Sequence, residues 1–132
     1  MKAVENKDYE YFDHTQERVN SIIEAAISNN MTVVYPKPNQ LLLDIDAEKD
    51  YLLLPLKITK IENILDIKLK IKSKIISSSG LPHQHIIIEN DQELSPHEQI
   101  LLQVILGSDY KRELHSLVKL KNNITPYGML IH

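Results

Sequence analysis

The chain has no cysteine, so it forms neither a disulfide nor a thiolate metal site, and a reducing cytoplasm is the expected compartment. It also lacks an excess of one charge. Fifteen Lys and Arg against eighteen Asp and Glu leave a formal net charge of −3 at pH 7, which excludes the global basic field that holds nucleic acid non-specifically. Any such binding has to come from a local patch. No apolar run approaches the roughly 20 residues that cross a bilayer, and the first residues hold nothing like the apolar core of a signal peptide. Repeats, low-complexity segments and linkers are absent too. What is there is 132 residues with 42% hydrophobic content, enough for one real core and too few for two full domains. A single soluble domain is expected.

Residues 1–13 are polar and acidic and are expected to form a flexible arm, with Tyr9, Tyr11 and Phe12 as anchors, ahead of one domain over 14–132. From Thr15 the positions Val19, Ile22, Ile23, Ala26 and Ile27 follow helical spacing, with Asp13 and Gln16 placed like a capping box. "MTVVYPKPNQ" is a short β-branched run stopped by two prolines. "QLLLDID" reads as a strand, and "AEKDYLLLPLKITKIENIL" as a helix that Pro55 must kink or break. "DIKLKIKSKII" alternates apolar and Lys at period two, "SSSGLP" is a turn, and "HQHIIIE" is another strand. Ser95, Pro96 and Glu98 then supply a cap serine, a first-turn proline and a capping-box Glu. Asp109 caps a further segment carrying Leu114, Leu117 and Val118, and "TPYGMLIH" closes as a short strand.

From residue 40 the order is strand, helix, strand, strand, helix, strand. This βαββαβ order predicts an α+β fold of the ferredoxin-like or RRM-like split βαβ type: four strands, helices on one face, and an extra N-terminal helix. Its first and third strands would lie antiparallel at the centre. Leu41, Leu43 and Ile45 then share the helix face, while Leu42, Asp44 and Asp46 share the other. On the second strand Ile67, Leu69, Ile71 and Ile75 face in and Lys68, Lys70, Lys72 and Lys74 face away. On the third, Ile86 and Ile88 face in and His83, His85 and Ile87 face the open side.

Antiparallel pairing places the end of the first core strand beside the start of the third, so Asp44 and Asp46 are expected near His83 and His85. The helix after Ser95 runs back toward that end, bringing Asp109, with Lys111 and Arg112 behind it. Each group also has a plain structural reading. Asp46 and Asp109 fit as helix caps, the histidines as a solvated strand start, and the lysines as guards of a sheet edge. Asp44 has no such role, because a mid-strand carboxylate beside another is repelled unless a cation or open solvent compensates.

"LLLDID" followed by "SSSGLPHQHIII" resembles the first two motifs of archaeo-eukaryotic primase and primase-polymerase catalytic cores: a hydrophobic strand ending in Asp-x-Asp, then a small-residue turn leading to a histidine on a strand. "LGSDYKRE" stands where that superfamily carries its third acidic motif. The chain is also similar to a family of short tailed-phage proteins of unassigned role, in Pro36 or Pro38, Asn39, Leu41 to Asp46, Ser78 to Gly80, His85 and Leu106 to Asp109. The resemblance covers residues 36–113. It implies a metal-dependent nucleotidyl-transfer domain in the host-cell cytoplasm, with Asp44, Asp46 and His85 catalytic and Asp44, Asp46 and Asp109 on Mg²⁺ or Mn²⁺, ions that suit hard oxygen ligands. His83 or His85 would contact nucleotide, and Lys68, Lys70, Lys72, Lys74, Lys111 and Arg112 would track nucleic acid.

Two other classes fit the same residues. In a nicking endonuclease of rolling-circle type, His83 and His85 would bind the metal and Tyr110 would attack a phosphodiester; "HQH" resembles the His-hydrophobe-His motif, with Gln84 in the middle position. A non-catalytic phage protein would use the same face to hold a host or replication partner.

Overall fold

Leu41, Leu42 and Leu43 are all fully buried, which an extended chain allows only where both faces of its sheet are covered, since successive side chains point to opposite sides. A computed structural model shows how, and it describes residues 15–77 and 79–132. The expected arm over 1–13, and Ser78 of the serine turn, lie outside the described residues. In chain order the elements are α1 (Gln16–Ser28), β1 (Val33–Val34), β2 (Gln40–Ile45), α2 (Glu48–Leu65), β3 (Leu69–Ile76), β4 (Gln84–Asn90), α3 (Pro96–Ile105), α4 (Tyr110–Lys121) and β5 (Leu130–Ile131). The fold is α+β.

β2, β4 and β3 form one antiparallel sheet in that order, so β4 is central. Leu41 pairs with Ile88, Leu43 with Ile86 and Asp44 with His85. On one face Leu54 and Ile61 of α2, with Leu102 and Leu106 at α3, pack against Leu41, Leu43, Ile45, Ile86 and Ile88. Each such side chain contributes about 1.5–3 kcal/mol by leaving water. α2 continues past Pro55 without a break. Local signals elsewhere act as their chemistry dictates. Ser95 and Glu98 close a capping box on α3, whereas the cap of α1 is Thr15, accepting from Arg18 N at 3.1 Å, and Asp13 is outside the described residues.

The four-stranded sheet does not form. β5, only two residues long, pairs with β1 instead, Val33 opposite Ile131, which leaves β2 at an edge. Every outward backbone group from Gln40 O to Asp44 O would be exposed there, and α3 and α4 supply the missing partners. Gln99 Nε2 donates to Gln40 O at 2.8 Å and Arg112 Nη1 to Leu42 O at 2.8 Å. Leu42 N donates to Gln103 Oε1 and Asp44 N to Ser108 Oγ, each at 3.0 Å. Asp109 N completes the set on Asp44 O at 2.7 Å. Side chains stand where a fourth strand was expected.

Two further expectations are corrected. Helices do not keep to one face: α1, α4 and residues 128–131 line a cleft against Asp44 and His85 on the other, and so cover the β2 half of that side. The Lys row on β3 is also broken. Ile71 pairs with Ile88 but Ser73 pairs with Ile87, so Lys72 is an inserted bulge residue that exchanges the faces of everything after it. Lys74 therefore sits opposite Ile86 on the helix side, its Nζ 3.1 Å from the Tyr51 hydroxyl, and Ile75 and Ile76 are exposed.

Gly107 carries the chain from α3 into the Ser108–Asp109 turn at φ +99°, and a Cβ there would stand 3.0 Å from the Asp50 Cβ. Gly107→Ala is expected to lower stability by more than about 1 kcal/mol, because both the left-handed backbone and the close approach penalise a side chain. A urea midpoint equal to that of wild type would contradict this.

Candidate metal centre

Asp44, Asp46 and Asp109 come together at one end of β2. One oxygen from each lies within 4.8 Å of the others. Three elements deliver them: Asp44 from within β2, Asp46 from the residue after its end, and Asp109 from the turn between α3 and α4. Three carboxylate oxygens are hard donors of the kind that could hold a divalent cation.

The helix-cap reading of Asp46 is corrected. Ala47 is the N-cap of α2, with no side-chain cap bond, and Asp46 Oδ1 instead meets His83 Nδ1 at 2.9 Å. Both partners are well exposed, so that contact contributes little stability. Asp109 does cap α4, accepting from Lys111 N at 3.3 Å. It has a structural role whether or not it also binds a metal.

Asp44 is the most perturbed carboxylate. Burial first, and the Asp46 and Asp109 carboxylates besides, push its pKa up to about 6, against the pull of Arg112 and His83. His85 lies opposite it in register and is only 6% exposed, so the expectation of an open-face histidine is corrected. Its Nδ1 faces His132 Nδ1 at 3.0 Å and its Nε2 faces Asp44 Oδ1 at 3.6 Å. Burial, then His132 and Arg112, push its pKa down to about 4. At pH 7 this imidazole is neutral. With Asp44 ionised, facing lone pairs are avoided if Nε2 carries the proton toward Asp44 and His132 donates to Nδ1.

The basic candidates are dispersed. Lys68, Lys70, Lys72 and Lys111 are exposed, with Lys72 paired to Glu89 at 3.1 Å; Lys74 has gone to the helix face. Arg112 is held inside, donating to Leu42 O and Gly128 O and pairing with Glu113. It braces β2 rather than facing a nucleic acid backbone. Tyr110 is 61% exposed next to Asp109.

The sequence reading missed Gln99, Gln103, Glu113, Lys119 and His132. For Glu113 and Lys119 the signal lay in α4, where Glu113, Ser116 and Lys119 recur every third residue and are buried while Leu114 and Leu117 are exposed. No family model, curated protein or solved structure matches the chain, so the site has to be read from its own geometry.

Proposed function

We propose that the chain is a metal-dependent nucleotidyl-transfer or nucleic-acid-processing domain of phage type, a reduced relative of the primase-polymerase core whose split βαβ sheet keeps three strands and replaces the fourth with side chains. The observation that carries this reading is the convergence of Asp44, Asp46 and Asp109 within 4.8 Å. Three carboxylates so close repel one another unless a cation joins them. A divalent ion held there would neutralise phosphate charge in an in-line displacement. Asp44 and Asp46 would hold it, Asp109 would close the set, and neutral His85 would stand beside Asp44, its Nε2 3.6 Å from Oδ1. The exposed Lys68 and Lys70 remain available to a nucleic acid backbone, while Lys72 is paired to Glu89.

The nicking-endonuclease reading is weaker, because it needs ring nitrogens from both His83 and His85, and both nitrogens of His85 already face His132 and Asp44. A purely structural or partner-binding domain would not respond to divalent ions. That difference is the test. With a dissociation constant near 0.1 mM, 10 mM Mn²⁺ should stabilise the wild type by about 2.7 kcal/mol, seen as a rise in Tm, and Asp44→Asn should remove most of the rise. Equal shifts in both proteins would remove the metal centre and leave the partner-binding reading.

A further inference from the structure

α4 turns a polar stripe inward, and one member of that stripe has no counter-charge. Glu113 is matched by Arg112, and Ser116 bonds to Arg112 O and Gly128 N. Lys119 is only 7% exposed, yet it takes part in none of the ion pairs among the described residues. Its stem is buried, while its ammonium head is not among the fully buried unpartnered atoms and so keeps access to the cleft. Burial and the nearby Arg112 guanidinium both depress its pKa.

Lys119 lines a cleft of about 420 Å³ together with Arg18, Arg112, Asp44, His85 and Ile22. The volume falls in the range of small-molecule sites, roughly 300–1,000 Å³. Arg112 also leaves its Nε–H buried there without a hydrogen-bond partner. An aliphatic stem lying on apolar surface explains a buried lysine whose head reaches water. It does not explain why two more cations converge on the same space, or why a guanidinium donor is left unsatisfied. An anion with several acceptor oxygens answers all three observations. Once Arg112 is balanced by Glu113, Lys119 and Arg18 stand against Asp44 alone, and neutralising Asp44 with a proton or a cation leaves two positive charges. A phosphate monoester carries about −1.5 to −2 at pH 7.

We infer that the cleft between α1, α4 and residues 128–131 is a binding site for a phosphate group, held by Lys119, Arg18 and the Nε of Arg112. Asp44 belongs both to this cleft and to the carboxylate triad. The site therefore deepens the proposed function by placing phosphate beside Asp44, which the cleft shares with the triad, but it does not require a bound metal.

The test is titration of sodium pyrophosphate in excess EDTA, followed by calorimetry and by Tm against sodium chloride of equal ionic strength. Wild type is expected to bind saturably and to melt higher in pyrophosphate than in chloride. Lys119→Met, which keeps the stem and removes the charge, and Arg18→Gln, at an exposed position, should each weaken binding by about tenfold or more. Arg18→Gln keeps the test decisive should Lys119→Met fail to fold. No difference between pyrophosphate and chloride for wild type, or equal binding by wild type and Arg18→Gln, would overturn the inference. Because metal is absent throughout, failure here is distinct from failure of the Mn²⁺ response.

Discussion

Alanine at position 113 is expected to lower stability by about 3–5 kcal/mol or to prevent folding, because it strands a buried guanidinium without its carboxylate. Glu113 is 1% exposed. It accepts from Gln103 Nε2 at 2.7 Å and from Ser108 Oγ at 2.8 Å, and it pairs with Arg112. Those three side chains are the ones that bond Leu42 N, Asp44 N and Leu42 O along the free edge of β2. One carboxylate thus orients the group that replaces a fourth strand. Glu113→Gln keeps the volume and part of the bonding, so a smaller loss of about 1–3 kcal/mol is expected. Urea unfolding at pH 7 measures both. If neither variant moves by more than about 0.5 kcal/mol, the polar clamp does not hold β2.

Asp44→Asn is expected to stabilise the metal-free protein at pH 7, and the gain should disappear on acidification. The folded pKa of Asp44 is raised from 3.8 to about 6, so its favourable contribution is complete below pH 4 and is lost as pH rises through 6. The difference amounts to about 3 kcal/mol at pH 7, given roughly 1.36 kcal/mol per unit. His85 has the opposite sign. Its pKa falls from 6.5 to about 4, so its contribution is complete above pH 6.5 and is lost as pH falls toward 4. In wild type the two slopes oppose each other between pH 4 and 6. Asp44→Asn leaves the His85 slope alone, so the variant should lose up to about 3 kcal/mol between pH 6.5 and 4 while wild type changes far less. Denaturant unfolding in EDTA across that range is the measurement. Parallel curves for the two proteins would show that Asp44 is not desolvated in the folded state.

The parts of this protein that its sequence determined alone are those set by neighbours along the chain. Ser95, Pro96 and Glu98 start α3 because a capping box closes within one turn. The period-two run and the turn after it pair β3 with β4, because antiparallel strands joined by a short connection meet as a hairpin. Leu41, Leu43, Ile86 and Ile88 face α2 because alternate side chains of a strand share one side.

Tertiary structure decided the rest, wherever a distant group competed with local preference. Asp46 had the composition of a helix cap but took His83, which folding alone brings within reach. The bulge at Lys72 sent Lys74 and Ile75 to the faces opposite those their alternation implied, because one inserted residue inverts a period of two. In α4, Leu114 and Leu117 are exposed. The helix instead buries Glu113, Ser116 and Lys119, and for Glu113 the reason lies in β2: with β5 paired to β1, its edge amides and carbonyls needed polar partners, and Glu113 holds the Gln103, Ser108 and Arg112 side chains that supply them.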